Sequence, residues 1–417
     1  MLKVVGPFAR REEIMNRRNF VAAAAKTVAA AGMAALLAGT ALAADTIKLG
    51  AVAPKTGPLA GGSTVTHWPS IQLWVKQTND KGGLKLKDGQ KMIELIEYDD
   101  KTDPGEHIKA VQRAITQDEV DFLIAPYGTG FNVAVAPIYA KYGYPQIAVT
   151  SISDLIGELT ERYPGLFFTL GDTTSFVNGV KDILVKMRDD GVIGNKVAMV
   201  NVADAFGIEL AEVARPVFTE AGFDIVYDKS YPLGTPDLSP VVKGAKAANP
   251  DAFVAWSYPP DTFAITEQAA IEDLDVKAFY TAVATAFPAY GGKFGSKING
   301  VLGAGGVNPD TPAIAEYRKA HKEIMGQEPD YWASANTYAS MQILGQAIEA
   351  VGSTDREAVT QYLKENEFDT IMGPIVFDEQ VSNRFWTVGQ WQDGVFRGVA
   401  SSNIDGAVPV IAKSGWE

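Results

Sequence analysis

Four short segments of this chain combine glycine, hydroxyl and aromatic residues in a pattern typical of ligand-binding loops. They cover residues 54–63, 125–132, 150–153 and 256–261. Glycines and hydroxyl groups just before a helix allow its first backbone N–H groups to reach an anion such as a carboxylate. Neighbouring aromatic rings can cover an apolar ligand body. In a single loop such residues more often only cap a helix, but four loops together predict a binding cleft.

Residues suited to metal or catalytic chemistry give a weaker pattern. Three aspartates, Asp99, Asp100 and Asp103, could form a cation site, but they are better explained as a strand end and helix caps. The three histidines, His67, His107 and His321, lack metal-ligand spacing. The chain has no cysteine and no G-x-S-x-G segment, and Gly128-Thr129-Gly130 lacks the third glycine of a dinucleotide fingerprint. We therefore expect neither an enzyme nor a cofactor or metal site.

The elements that must position these loops follow from the alternation of apolar runs with helical spacing. One helix is predicted from Ile108, Val111 and Ile115, with Asp103 as its N-cap and Pro104 at its first position. The alternation predicts an α/β fold built on parallel sheets, whose strand ends meet at one edge. The predicted strands are 46–53, 92–98, 120–125, 146–150, 196–202, 251–256 and 276–281.

The first 43 residues predict export. Arg17 and Arg18 precede an alanine-rich run over 21–42, and Ala41-Leu42-Ala43 has the form of a cleavage site. We expect a twin-arginine signal peptide over 1–43, cleaved near Ala43 or Ala44, with Met1 or Met15 as the start. The alternative, an uncleaved anchor helix, is disfavoured because lysine, glycine and threonine interrupt the apolar run.

The amino-acid composition narrows the classes of molecule that this chain could bind. The formal net charge is −13, from 37 basic and 50 acidic residues. Such a surface disfavours nucleic acid and anionic lipid, and without cysteine there is no lipoprotein anchor. We expect an unanchored periplasmic monomer whose partner is a small molecule.

Several motifs together resemble one transport family. The chain resembles the solute-binding proteins of ABC transporters for branched-chain amino acids and amides, over nearly all of its mature length. The motifs that carry the resemblance are Ile47-Lys48-Leu49-Gly50, Thr56-Gly57-Pro58, Tyr98-Asp99-Asp100, Tyr142-Gly143-Tyr144-Pro145, Asp204-Ala205-Phe206-Gly207, Asn336-Thr337-Tyr338 and Met372-Gly373-Pro374.

The resemblance implies a type I periplasmic binding fold with two lobes, each a parallel sheet flanked by helices. Residues 44–166 and 290–371 would form lobe 1, and 167–289 and 372–417 would form lobe 2. Three crossings would lie near Leu166, Ala289 and Ile371. The solute would be held between the closing lobes and delivered to the membrane subunits of an ABC permease. Two alternatives stay open: a soluble periplasmic sensor on the same fold and, less favoured, an exported enzyme.

The resemblance also implies site residues. Thr129 matches the position whose hydroxyl group contacts a ligand carboxylate in the family. Thr150 matches a position that contributes backbone contacts, and Tyr258 matches an aromatic residue of the pocket. Phe206 stands where a tyrosine is common, and Ser63 stands, on a weaker alignment, at another tyrosine position. The expected ligand-binding set is Tyr127, Thr129, Thr150, Ser151, Phe206, Tyr258 and Thr285.

The main departure from the family pattern is Ala284. Amino-acid-binding members carry an acidic residue there that pairs with the ligand ammonium group, and residues 281–285 contain no carboxylate. Either Asp204 or Asp261 supplies the charge, or the solute has no ammonium group. The second reading is favoured, for a small or aromatic carboxylate or an amide rather than an amino acid. His67, Trp68 and Trp256 could line such a pocket, although core packing is the commoner role of tryptophan.

Overall fold

The computed structural model describes residues 46–417, so the predicted signal peptide and its cleavage site lie outside the described residues. Residues 47–417 form one compact unit. Within the described part of the chain, no helix is long and apolar enough to cross a membrane.

Strands and helices alternate along most of this unit. The strands are β1 (Ile47–Ala53), β2 (Leu84–Leu86), β3 (Gly89–Lys91), β4 (Ile93–Asp99), β5 (Phe122–Ile124), β6 (Gln146–Ala148), β7 (Leu166–Phe168), β8 (Lys196–Val202), β9 (Asp224–Tyr231), β10 (Ala252–Trp256), β11 (Ala278–Thr281), β12 (Leu302–Ala304), β13 (Glu367–Thr370), β14 (Gly373–Asp378), β15 (Val381–Ser382), β16 (Phe385–Gln392) and β17 (Val395–Ser402).

The helices lie mainly between successive strands. They are α1 (Ala60–Thr66), α2 (Trp68–Asp80), α3 (Pro104–Thr116), α4 (Thr129–Lys141), α5 (Ile156–Arg162), α6 (Thr173–Asp189), α7 (Ala205–Glu220), α8 (Ser239–Ala247), α9 (Pro259–Ile271), α10 (Pro288–Phe294), α11 (Pro312–Met325), α12 (Ala333–Val351) and α13 (Arg356–Glu365). A 3-10 helix, Gly295–Ile298, follows α10.

The largest sheet has seven strands in the order β17-β16-β12-β11-β10-β8-β9. Its strands from β12 to β9 pair in parallel, and β16 and β17 add an antiparallel hairpin beside β12. Every residue of β10 is buried, as expected for a central parallel strand covered on both faces. Phe253 of β10 stacks on Phe279 of β11 with ring centroids 5.1 Å apart.

The remaining main strands form two shorter sheets. One has the order β4-β1-β5 and is entirely parallel. The other has the order β13-β14-β15-β7-β6, in which β6, β7 and β15 pair in parallel. Strands β1 and β5 are parallel, and a hydrogen bond from Gly128 to Thr150 joins the loops that follow β5 and β6, so the carboxyl ends of these three strands lie at the same edge.

All seven strands predicted from the sequence are present: 196–202 has the same bounds as β8, and the other six differ by one or two residues at one or both ends. The predicted strand 146–150 stops at Ala148, because the next residues leave the ladder and Thr150 turns its hydroxyl group to a neighbouring loop. The predicted start of α3 is confirmed. Asp103 accepts a hydrogen bond from the Glu106 N–H group at 2.8 Å, and Pro104 is the first helical residue.

The sheet pairing differs from the predicted lobe boundaries in two places. Strand β12 lies in the stretch assigned to lobe 1, but Leu302 pairs with Tyr280 in the seven-stranded sheet. Strands β14 and β15 lie in the stretch assigned to lobe 2, but Val381 of β15 pairs with Phe168 of β7. Backbone pairing therefore keeps the chain in its sheet 15 residues past the predicted crossing at Ala289 and 11 residues past the one at Ile371, but only two residues past Leu166.

Candidate functional site

A cleft opens where the carboxyl ends of strands from the different sheets meet. Six aromatic side chains line it: Tyr127, Phe176, Phe206, Tyr258, Tyr280 and Trp332. Aliphatic residues complete the apolar lining: Ile152, Leu170, Leu210, Ala282, Val283 and Ala304. Gly128, Thr150, Ser151 and Ala333 also contribute.

One wall is built from the loops after β5 and β6. The Gly128 N–H group donates to the Thr150 hydroxyl group at 3.0 Å, which fixes the two loops against each other. Gly128 has a φ of 94°, a left-handed conformation that favours glycine. A Cβ atom at Gly128 would lie 3.7 Å from the Tyr258 hydroxyl oxygen, so the two walls approach closely here. The predicted residues Tyr127, Thr150 and Ser151 all lie on this wall.

The opposite wall is aromatic. The rings of Phe206 and Tyr258 lie 5.1 Å apart at an interplanar angle of 31°. Burial raises the pKa of Tyr258 well above its ordinary value, and the nearby Asp204 carboxylate acts in the same direction. Tyr258 therefore presents a neutral hydroxyl group. The structure thus brings the predicted residues Phe206 and Tyr258 into the same cleft as Tyr127, Thr150 and Ser151.

Thr129 and Thr285 occupy different positions from these five. The Thr129 hydroxyl oxygen lies 3.3 Å from the Ile152 carbonyl oxygen and 3.4 Å from the Ile152 nitrogen, and the residue is buried behind the lining. The Thr285 hydroxyl group donates to the Thr281 carbonyl group at 2.6 Å, and its own carbonyl accepts from the Trp391 indole at 2.7 Å. Both threonines therefore support the cleft from outside the lining.

The two acids considered as ammonium partners serve as helix caps. Asp204 accepts a hydrogen bond from the Gly207 N–H group at 2.9 Å at the start of α7. Asp261 accepts from the Tyr258 N–H group at 3.3 Å at the start of α9, and burial raises its pKa to about 6. Burial also raises the pKa of Asp204. Neither acid is itself part of the lining, but both act on Tyr258, which is: the Asp204 carboxylate lies beside the Tyr258 hydroxyl group, and Asp261 accepts from the Tyr258 N–H group.

The segment around Ala284 contributes no charge to the cleft. Ala282 and Val283 line it, whereas Ala284 is buried with a φ of 77°, an unusual left-handed conformation for a residue other than glycine. In the described part of the chain, the lining contains no lysine, arginine, aspartate or glutamate. The cleft is therefore uncharged as well as largely apolar.

The other residues considered from the sequence lie behind the cleft. The Ser63 hydroxyl group donates to the Pro54 carbonyl, and the Trp68 indole donates to the same oxygen at 3.1 Å. His67 is fully buried, with its ring 6.4 Å from that of Tyr127, and burial lowers its pKa to about 3. Trp256 is a core residue that packs edge-on against Tyr280.

The three clustered aspartates have structural partners. Asp99 accepts from the Thr56 hydroxyl group at 2.7 Å, and Asp100 contacts His107 Nδ1 at 2.8 Å in a fully buried pair. With Asp103 capping α3, this agrees with the structural interpretation of the cluster. Across residues 46–417, no group of three or more histidine, aspartate or glutamate side chains is arranged to hold a metal ion.

Sequence reasoning missed several lining residues, above all Phe176, Tyr280 and Trp332. Trp332 directly precedes α12, and its ring lies 5.9 Å from that of Phe176. Asp330 accepts from the Ala333 and Ser334 N–H groups at 3.0 and 2.7 Å and so caps this helix. The Asp330-Tyr331-Trp332-Ala333-Ser334 run carries a recognisable cap pattern, which would have placed Trp332 at a helix start.

The family model described as "Periplasmic binding protein" matches residues 46–394 of this chain. This chain belongs to that family. The match spans every strand that contributes to the cleft and confirms the resemblance inferred from the sequence motifs.

Individual family members are similar over most of their length. The Leu/Ile/Val-binding protein homolog 7 of Brucella suis is 26% identical over 413 residues, which cover 88% of this chain and 95% of the homolog. The substrate-binding protein LivJ of Streptococcus pneumoniae, in complex with isoleucine, has a TM-score of 0.74 at 20% identity, with 85% and 100% of the two chains covered. The solute-binding protein of an ABC transporter from Rhodopseudomonas palustris, in complex with 3,4-dihydroxybenzoic acid, has a TM-score of 0.73 at 22% identity, with 88% and 99% covered.

The structural similarity shows that the fold is the type I periplasmic binding fold, an α/β architecture in which parallel pairing dominates. The predicted fold class is thereby confirmed.

Proposed function

We propose that this chain is the extracytoplasmic solute-binding subunit of an ABC importer, and that its solute is a carboxylate with an apolar or aromatic body and no ammonium group. The uncharged aromatic cleft carries this proposal. Six aromatic rings can cover a flat or branched apolar body, while the hydroxyl and N–H groups of the lining are sufficient to orient one polar end.

The lining carries no charged side chain, and this argues against an amino acid as the solute. A buried ammonium group is costly unless a carboxylate pairs with it. The nearest candidates already have hydrogen-bond donors: Asp204 accepts from the Gly207 N–H group in α7, and Asp261 accepts from the Tyr258 N–H group just before α9. Their raised pKa values show that burial already disfavours their ionised forms. An amide or a carboxylate without an ammonium group avoids the cost of burying that cation, and a carboxylate then needs only hydrogen-bond donors in the lining.

In this proposal the solute is enclosed between two lobes. The lobe boundaries are those that the pairing of the strands indicates. The crossings lie at 169–172, 305–311 and 383–384, where the chain passes between sheets. Gly171 and Gly305 have positive φ values, and positions of this kind can absorb backbone rotation. Closure around a ligand is then a population shift toward the state with more contacts.

Hydrogen bonds across the cleft mouth support a closed arrangement. The Glu209 carboxylate on α7 accepts from the Ser153 hydroxyl group at 3.1 Å and from the Asp154 backbone N–H group. The Asp154 carboxylate in turn accepts hydrogen bonds from the Thr174 N–H and hydroxyl groups at 2.8 and 2.6 Å. These bonds link the loop after β6 with helices α6 and α7.

Delivery to a permease rests on the family and on the predicted export signal. A sensor would use the same cleft and pass its closed form to a receptor, whereas an enzyme would return an altered ligand. We propose binding without chemistry, since the lining offers no nucleophile paired with a base.

A thermal-shift screen of unfolded, refolded and ligand-stripped protein tests the solute class. Aromatic carboxylates, aliphatic carboxylates, amides and amino acids are compared, because a ligand that binds only the native state raises the melting temperature. We expect the largest shift with acids that lack an ammonium group, and a shift with leucine, isoleucine or valine alone would contradict this. Loss of uptake of the identified solute in a strain lacking the chain would distinguish transport from sensing.

A further inference from the structure

Trp332 carries a buried donor without a partner. The side chain is 6% exposed and lines the cleft. Its indole Nε1 atom has no hydrogen-bond partner among residues 46–417. Buried polar groups are almost always paired, because an unpaired donor loses its hydration without compensation. An indole N–H group can only donate, so the partner it lacks must be an acceptor.

The indole ring is held in place by its surroundings. Asp330 fixes the backbone on the C-terminal side of Trp332 through its two bonds to α12. Gly305 has a φ of 75°, and a Cβ atom there would lie only 2.1 Å from the indole ring, so the ring lies directly against the glycine backbone. Phe176 packs on the ring at 5.9 Å. The N–H group is therefore preorganised, which reduces the ordering cost of binding.

A second unpaired group lies in the same cleft. The buried Ser151 hydroxyl oxygen also lacks a partner within the described residues. The predicted carboxylate contact, Thr129, is by contrast engaged with Ile152. Ser151 and Trp332 are therefore the two lining residues with a buried side-chain polar atom that lacks a partner within the described residues.

We propose that Trp332 Nε1–H donates a hydrogen bond to an oxygen of the solute's carboxylate group, with the Ser151 hydroxyl group as a second donor. This inference rests on the proposed function and deepens it. It explains how an anionic group is recognised in a lining without lysine or arginine. Because Trp332 cannot accept a hydrogen bond, it also disfavours an ammonium or amine group at the same position.

The variant Trp332→Phe tests the donor role, since it keeps an aromatic ring and removes the N–H group. We expect the affinity of the refolded protein for its best probe among 3,4-dihydroxybenzoate, benzoate and isoleucine to fall by roughly ten-fold or more, as for the loss of a hydrogen bond to a charged group. Trp416→Phe is the matched control. Trp416 is also a buried tryptophan, but its Nε1 donates to the Leu274 carbonyl and the residue lies outside the lining, so its replacement should leave affinity within about two-fold.

An NMR spectrum gives a readout that does not depend on affinity. The chain has seven tryptophans and should therefore give seven indole N–H signals in the 15N-labelled protein. The signal missing in Trp332→Phe identifies Trp332. We expect this signal to move downfield when the bound probe saturates the wild-type protein. If the variant does not fold, the contact of Trp332 with Phe176 assigns the signal in the wild type instead.

The outcomes separate this inference from the proposed function. If the wild type binds none of the three probes, or binds isoleucine alone, the proposed solute class fails and this inference fails with it. If the wild type binds a probe but Trp332→Phe binds it equally well, or the Trp332 signal stays unmoved, only the role of Trp332 is overturned. A reduced affinity in each of the single variants, Ser151→Ala and Trp332→Phe, would support both donors.

Discussion

The Glu209 carboxylate on α7 accepts a hydrogen bond from the Ser153 hydroxyl group at 3.1 Å, and this bond joins the two walls of the cleft. The same carboxylate accepts from the Thr173 hydroxyl group at 2.9 Å and from the Asp154 N–H group. Ser153 lies two residues beyond Ser151, which lines the cleft. Closure at the mouth and the position of the lining are therefore directly connected.

The first prediction concerns this contact. Glu209→Gln leaves three donors facing an amide that has one acceptor oxygen and no charge, so the closed form should become less favourable. We expect solute affinity to fall several-fold, because each bond to a charged group contributes about 1.5 to 3 kcal/mol. Isothermal titration gives the affinity. Glu212→Gln, at an exposed position on the same helix, is the control, and equal effects of the two variants would contradict a role for Glu209 in closure.

A second prediction separates Thr129 from Ser151. The Thr129 hydroxyl group holds the Ile152 backbone from behind the lining, so Thr129→Ala should act on solute affinity only indirectly, by less than about three-fold, while costing about 1 kcal/mol of stability. Ser151→Ala should lower solute affinity and leave stability nearly unchanged, because Ser151 lines the cleft and its hydroxyl group is unpaired in the described structure. Titration and denaturant unfolding measure the two effects. A large loss of affinity with Thr129→Ala alone would restore the direct contact predicted from the family resemblance.

A third prediction concerns the backbone at Ala284. Its φ of 77° costs roughly 1 kcal/mol for a residue with a Cβ atom, so Ala284→Gly should relieve strain and raise the melting temperature by about 1 °C. The extra entropy of glycine in the unfolded chain offsets part of the gain. The buried neighbour Ala286 lacks this strain, and Ala286→Gly should lower the melting temperature. Destabilisation by both variants would show that Ala284 is not strained.

The fourth prediction concerns pH. Burial raises the pKa of Asp261 to about 6, above its ordinary value of 3.8. The folded state therefore binds this proton more tightly than the unfolded state, and stability falls as pH rises from about 4 to above 6. Asp261→Asn removes the titration while its carbonyl group can still accept from Tyr258. We expect the variant to be more stable than the wild type by up to about 2 kcal/mol at pH 8 and nearly equal to it at pH 4.

Denaturant unfolding at the two pH values measures this difference. A stability difference that is the same at pH 4 and pH 8 would exclude Asp261 as the titrating group. Burial also raises the pKa of the nearby Asp204. The double variant Asp204→Asn/Asp261→Asn should therefore gain less stability than the sum of the gains of the two single variants.

The sequence predicted local features well, because local patterns determine them. Asp103 and Pro104 marked the start of α3, and the apolar runs located seven strands. The loops after β5, β6 and β10 were predicted to meet because parallel strands place their carboxyl ends together. Tyr127, Thr150 and Tyr258 accordingly line one cleft.

What the sequence did not predict depends on long-range pairing and side-chain direction. Leu302 joins the seven-stranded sheet through a partner 22 residues earlier, which no local pattern near Ala289 indicates. Thr129 and Gly128 are adjacent, yet only Gly128 lines the cleft, because the first turn of α4 directs the Thr129 hydroxyl group toward Ile152. Trp332 was missed since its role depends on Gly305 and Phe176, which lie far from it in the sequence.

The central claim is that the cleft holds a carboxylate without an ammonium group. Isothermal titration of the refolded, ligand-stripped protein with 3,4-dihydroxybenzoate and with isoleucine tests it most directly. We predict binding of 3,4-dihydroxybenzoate at least ten-fold tighter than that of isoleucine, because the uncharged lining leaves the ammonium group of isoleucine unpaired. Tight binding of isoleucine with no detectable binding of the aromatic acid would contradict the claim.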